Sequence, residues 1–183
     1  RLVHGGGAVK TERTVYPAVI TVPAGAYEPA TENCGAQIIP ASAGATTTEL
    51  IGTDAIEVSS VNLAAAKRVV GAGRGLSSAD NIPILEQLAA LLGAEIGCTR
   101  PVSEEEHWYS KDRYIGVSGC MLKPNFYLAV GISGQIQHMV GINQAGVIFA
   151  IDKNENAPIV SQADYILIGD VNTVLPQIVE KLK

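Results

Sequence analysis

From Lys67 onward the sequence alternates short, almost unbroken apolar runs with segments of helical period, and no other feature limits the fold as much. The runs are Arg68–Val70, Ala94–Cys98, Tyr114–Val117, Phe126–Ile132, Val147–Ile151 and Tyr165–Ile168. A strand that is apolar at successive positions, rather than at every second one, is suited to burial on both faces, as in a parallel sheet covered by helices on each side. Between the runs, Asn81–Leu92 places Ile84, Leu85, Leu88, Leu91 and Leu92 at helical spacing. Ser78 or Asp80 is the expected cap of that helix, and Pro83 falls in its first turn. Gly134–Val140 supplies a short helix, Val171–Leu182 a closing one, and PVSEEEHWYSKD a charged loop. The expected fold class is α/β: a three-layer domain built on a mostly parallel sheet.

Residues 1–66 have a different character. Thr14–Val22 and Gln37–Ile39 are expected as short strands among Pro, Gly and Thr clusters, and ASAGATTTELIGTDAIEVSS as an extended connection. The chain opens on Arg1 rather than methionine, as expected of a processed product or a piece of a longer chain. Hydrophobic residues make up 47% of the 183 and charged residues 17%, a globular balance, and no apolar run approaches a membrane span. The formal charge of −5 and the lack of a basic run argue against a nucleic-acid partner. Cys34, Cys98 and Cys120 form neither a CxxC pair nor an even set, so a disulfide framework or zinc site is not expected, and the default location is the reducing cytoplasm.

Sheets of this class bind ligands outside the carboxyl ends of their strands. Those ends carry GAGRG, Thr99-Arg100, Ser118-Gly119, Ile132-Ser133-Gly134, Asp152 and Asp170. A serine hydrolase is not expected, because GISGQ and GVSGC both fail the G-x-S-x-G pattern at the fifth residue. GAGRGL lacks the last glycine of G-x-G-x-x-G; Arg74 within it is either a phosphate ligand or a solvated surface charge. In SGQIQH, the Gly-Ser-Gly turn at 131–134 suits close approach of backbone N–H groups to an anion, with Ser133 as the alternative helix cap. On that view Gly134→Val weakens ligand retention and preserves the fold. Arg100 either faces the ligand or pairs with Glu104, Glu105 or Glu106, and Asp152 and Asp170 either meet hydroxyls such as a ribose or serve as turn and cap residues. These patterns point to an α/β nucleotide- or dinucleotide-binding domain without an evident catalytic acid or base.

Taken together, RVVGAGRGL, GAEIGCTRP, RYIGVSGCMLKP, YLAVGISGQIQHMVG and ENAPIVSQADYILIGD resemble the FAD-binding domain of electron transfer flavoprotein alpha subunits. The resemblance covers about residues 67–183, and the wording RYIGVSGCMLKP is similar to the bacterial branch associated with carnitine metabolism and nitrogen fixation. Residues 1–66 resemble, more loosely, the end of the family's first domain and its connector, a partial extended segment of a truncated domain. The resemblance implies a Rossmann-like fold and a heterodimer with an electron transfer flavoprotein beta subunit. It also implies FAD held between the two, with electrons taken from a flavin dehydrogenase or other donor and passed to a redox acceptor. The chain would be a cytoplasmic electron carrier rather than a self-contained enzyme, with no metal and no membrane insertion.

By the same resemblance Arg74 contacts the cofactor from the glycine loop, and Thr99 and Arg100 lie beside the isoalloxazine. Ile115, Gly116, Val117 and Ser118 line the ring, with the Ser118 hydroxyl near flavin N5. Ser133, Gly134, Gln135, Ile136, Gln137 and His138 wrap the ribityl and pyrophosphate, His138 reaching the flavin O2 side, while Asp152, Asp170 and Val171 lie toward the adenosine. Two positions depart from the family: Ser118 stands where threonine is frequent, retaining the hydroxyl, and Asp152 where asparagine is usual, adding negative charge. A nicotinamide-dependent oxidoreductase on a similar sheet and an assembly module without cofactor are the competing readings.

Overall fold

A computed structural model describes residues 2–3, 8–21, 27, 31, 35, 39–40, 44, 48–53 and 61–183. The chain divides into two compact units, one formed by Arg1–Glu12 with Ser59–Lys183 and the other by Arg13–Val58. In the second unit no described residue lies in a helix or strand. The strand expected over 14–22 is not formed at residues 14–21, and Val22 lies outside the described residues. Pro17 removes a ladder donor there, and Val15, Tyr16, Val19 and Ile20 are all exposed, so no apolar face holds the segment extended. Of the second expected strand, only Ile39 is described, and it has no regular structure.

The first unit holds a small antiparallel pair, β1 (Leu2–Val3) with β2 (Ala8–Val9). Its main sheet contains β3 (Arg68–Ala72), β4 (Glu95–Cys98), β5 (Phe126–Val130), β6 (Val147–Asp152) and β7 (Tyr165–Ile168). The strand order is β4-β3-β5-β6-β7, and every neighbouring pair is parallel. Successive side chains of the central strands enter opposite layers. Val70, Leu128, Val130 and Ile151 pack with Leu85 and Leu88 of α1 (Ile82–Leu92), Val102 of α2 (Arg100–Glu104), and Val171, Leu175 and Val179 of α4 (Val171–Leu182). Val69, Tyr127, Ala129, Ile148 and Ala150 pack on the other side with Ile115, Leu122, Ile142, Ile159 and Met139 of α3 (Ile136–Met139). The expected three layers are present, and the sheet is wholly parallel.

Three local expectations need correction. Tyr114–Val117 is not a strand; Tyr114 and Ile115 make isolated bridges to Cys98 and Cys120, and Gly116, at φ +141°, turns the chain away. The charged stretch after Thr99 begins with a helix, α2, whose Val102 and Ser103 are buried while Arg100 is exposed and Glu104 half-exposed. Ser78 caps the short turn Ala79–Asn81 by accepting from the Asp80 N–H, and α1 begins without a side-chain cap at Asn81. At its other end α1 stops as expected, with Gly93 in the left-handed region donating to the Ala89 and Ala90 carbonyls. Among the described residues no helix is long and apolar enough to cross a membrane.

Candidate functional site

The sheet order reverses direction between β3 and β5, since the chain goes from β3 outward to β4 and returns to the far side of β3. Such a reversal parts the loops at the carboxyl ends and leaves a crevice. Here the loops after β3 and β5 stay in contact at their base. Gly73 N–H donates to Val130 O at 2.9 Å, and Gly75 N–H to Gly131 O at 3.0 Å. A Cβ added at Gly75 would lie 2.5 Å from Gly131 Cα, and one at Gly73 would overlap the Gly131 carbonyl. Gly73 and Gly75 of GAGRG are therefore required by loop-on-loop packing.

The loop after β4 adds Thr99 and Arg100. Thr99 stands at the N-cap of α2, yet its hydroxyl makes no capping bond, and its Oγ1 is buried with no partner among the described residues. Arg100 is exposed and donates from Nε to Glu104 at 2.6 Å, one turn along α2, so the glutamate pairing weighed from sequence is formed. That bond holds the Glu104 carboxyl below its usual range and raises Arg100 above its own. Arg74 lies 3.7 Å from Glu105. Both arginines border the same cleft as Thr99.

The segment after β5 turns through Gly131 at φ +62° and Gly134 at φ +80°. A Cβ on Gly134 would meet the Ile159 backbone N at 2.6 Å, where Ile159 N–H donates to Ser133 O. Gly134 thus makes room for the turn Pro158–Ser161, so the expectation that valine there would spare the fold does not hold. Ser133 is not a helix cap; α3 starts at Gln135 without a side-chain cap and has only four residues, too few for a helix dipole to accumulate. Ser133, Gly134 and Gln135 nevertheless present three consecutive backbone N–H groups that make no hydrogen bond among the described residues.

His138, on α3, is 6% exposed, and its Nε2 lies 2.9 Å from the Tyr127 hydroxyl on β5. Burial pushes its pKa down to about 4 and the Ile115 backbone pulls it the other way; Nδ1 is buried with no partner of full hydrogen-bond geometry among the described residues. The ring is therefore neutral near pH 7. Tyr127 is fully buried, and a Cβ on Gly71 of β3 would overlap its hydroxyl, so Gly71 is the space that the phenol occupies.

One cleft of about 780 Å³ unites most of the expected site residues. Arg74, Thr99 and Arg100 border it from the loops after β3 and β4, with Val117 and Ser118 opposite. Ser133, Gly134, Gln135, Gln137 and His138 border it from the segment after β5, and Asp152 from the end of β6. Ile115 and Gly116 are buried behind it, and Ile136 is exposed outside it. Asp170 and Val171 line a smaller hollow that shares Gly75, Ser77, Gly131, Asp152 and Lys153 with the cleft wall. Asp152 Oδ1 accepts from Asn154 N–H and Asp170 Oδ1 from Asn172 N–H, both at 2.8 Å, so both carboxylates also serve as turn and cap groups. Sequence reasoning missed Lys153, Tyr114 and Tyr127. A tyrosine within an apolar strand signals a buried hydroxyl that needs a partner, but not which partner.

The charged groups on the cleft wall are Arg74, Arg100 and Lys153 against Asp152, with Glu105 and Glu104 paired to the two arginines. The cleft's volume lies toward the upper end of small-molecule and cofactor sites, which suits an extended ligand. Residues 62–143, which include four of the cleft's walls, match the family model described as the electron transfer flavoprotein FAD-binding domain. Over those residues the chain is similar to the electron transfer flavoprotein alpha family, and over nearly its whole length to two curated proteins. Its relatives include YdiR of Escherichia coli K12, named for an electron transfer flavoprotein subunit, 46% identical over 98% of this chain and 59% of that protein. Protein FixB of Escherichia coli O17:K52:H18 is 45% identical over 99% of this chain and 59% of FixB. The chain thus spans about six tenths of the length of the curated relatives it matches.

Two outcomes follow. Gly134→Ala should destabilise the protein by about 1–3 kcal/mol in urea unfolding without any ligand, because a left-handed φ and the Ile159 backbone both oppose a Cβ. His138, with its folded-state pKa depressed, takes up no proton between pH 6.5 and 4 while the unfolded chain does. Stability should therefore fall as pH drops through that window, by an amount of the order of 3 kcal/mol, and be unaffected by this group above it. His138→Gln should flatten that part of the pH profile, measured by urea midpoints from pH 7 to 4.5.

Proposed function

We propose that the cleft holds FAD and that the chain is the cofactor-holding part of an electron transfer flavoprotein alpha subunit. The observation that carries this reading is the pair of buried polar atoms, Thr99 Oγ1 and His138 Nδ1, that lack a full hydrogen bond among the described residues and belong to two walls of one cleft. A buried polar group without a partner costs about 1–3 kcal/mol, so two such groups beside one cleft favour a ligand that completes them. The cofactor would supply reversible electron acceptance, chemistry that no side chain here provides.

The chain's own residues would bind and orient it. The N–H groups of Ser133, Gly134 and Gln135 would donate to its oxygens, while Arg74, Arg100 and Lys153 would offset phosphate charge. Thr99, Ser118 and the neutral His138 ring would hold the polar edge of the flavin. Asp152 and Asp170, each with a second carboxylate oxygen to spare, would accept from hydroxyls on the adenosine side. Val117 and Ile136, 47% and 56% exposed, leave apolar surface that a beta subunit would cover. Electrons would pass from a flavin dehydrogenase or other donor to a redox acceptor, and the free thiols of Cys98 and Cys120 fit a cytoplasmic setting. No observation favours a nicotinamide enzyme.

The test uses Thr99→Val, which keeps the shape and removes the hydroxyl. It should leave the ligand-free protein as stable as the parent or more so, and weaken FAD retention about five- to thirtyfold in the subunit complex. Mass spectrometry of the denatured supernatant should identify FAD in the parent. A nicotinamide dinucleotide in its place, or equal FAD retention by the variant, would contradict the reading.

A further inference from the structure

Tyr127 and His138 are eleven residues apart, on a strand and on the helix that covers it, and nothing in the expected site includes the tyrosine. The ring centroids are 6.0 Å apart, tilted by 48°, and the hydroxyl-to-Nε2 distance of 2.9 Å is that of a good hydrogen bond. Which atom donates decides where the imidazole proton sits, because a neutral histidine has one N–H and one bare nitrogen.

Two arrangements are possible in principle. If Nε2–H donates to the phenol oxygen, the phenol hydrogen has no acceptor, since His138 is the only hydrogen-bond partner of Tyr127 among the described residues. Nδ1 is then also a bare acceptor without a donor. If the phenol donates to Nε2, both of those atoms are satisfied, and the one hydrogen left without a full hydrogen bond among the described residues is Nδ1–H, which the Ile115 carbonyl approaches. A phenol is moreover a better donor than acceptor, and an imidazole nitrogen is a strong acceptor. Burial raises the tyrosine's own pKa, so its hydrogen stays in place. The second arrangement also leaves its unpartnered hydrogen on a residue that borders the cleft.

We infer that Tyr127 is a positioning residue: its hydroxyl donates to His138 Nε2, fixing the neutral ring with its proton on Nδ1 for an acceptor oxygen of the bound ligand. Gly71 belongs to the same device, because any side chain on β3 at that point would overlap the phenol oxygen. The inference takes the FAD reading for the identity of the acceptor, a carbonyl or anionic oxygen, but not for the position of the proton.

Long-range proton–nitrogen NMR of the full chain, labelled with nitrogen-15 in histidine, reads the tautomer directly, and His138→Gln assigns the signal. The parent should show His138 protonated on Nδ1. Tyr127→Phe keeps the ring volume and removes the donor; it should shift the tautomer ratio about fivefold or more toward Nε2–H. With FAD added to the subunit complex, the parent's Nδ1–H resonance should move downfield. A parent proton on Nε2, or a Tyr127→Phe protein with the parent's tautomer, would overturn the inference even if the variant binds FAD poorly. FAD bound with the Nδ1–H resonance unmoved would overturn the presentation of that proton to the ligand. Failure of the complex to bind FAD at all would instead sink the cofactor reading, while the tautomer result would still decide the role of Tyr127.

Discussion

The loops that leave β3 and β5 approach each other backbone to backbone at Gly73, Gly75 and Gly131, joined by two hydrogen bonds of 2.9 and 3.0 Å. This contact sits at the reversal of strand order, where a parallel sheet would otherwise open widely. By closing the base of the crevice it places Arg74 on one wall. It also commits the chain after β5 to the turn through Gly134, so that residues 133–135 lie along the other wall with N–H groups that no described residue pairs. A side chain at any of the three glycines would push the walls apart. The cleft's shape therefore follows from the close packing of small residues.

Beneath that surface the polar groups fall into two sets. Arg74 and Arg100 are exposed and already paired with Glu105 and Glu104, interactions worth little to the fold. Thr99, His138 and Tyr127 are held in place by packing, and burial keeps both rings uncharged. On the FAD reading the outer set would supply attraction to an anion and the inner set orientation. A neutral hydrogen-bond donor in fixed position can meet a ligand oxygen without the desolvation cost that a buried imidazolium would carry.

Much of this was legible in the sequence, for a definite reason. Val69 and Val70, or Leu128 and Ala129, could be adjacent and apolar only if both faces of the sheet were covered, and the parallel sheet follows. Tyr165–Ile168 has the same apolar look, yet β7 is an edge strand with Tyr165 62% exposed, and composition does not separate the two cases. Helix α2 was hidden by its charge, since only Val102 and Ser103 turn inward. Gly134 shows the harder limit. A glycine marks a place where something comes close, but whether that is a ligand or the backbone of Ile159 depends on contacts distant in sequence. The Tyr127–His138 bond is of the same kind, joining a strand to the helix above it.

The central claim is that the segment after β5 donates its backbone N–H groups to a bound dinucleotide. Amide hydrogen exchange at Ser133, Gly134 and Gln135, followed in the subunit complex with and without FAD, tests it most directly. Unpaired N–H groups beside an open cleft should exchange quickly in the absence of FAD and slow at least about tenfold when it is bound, while amides of β5 remain unchanged. Rapid exchange at all three positions in a complex that demonstrably holds FAD would place the cofactor elsewhere and contradict the account.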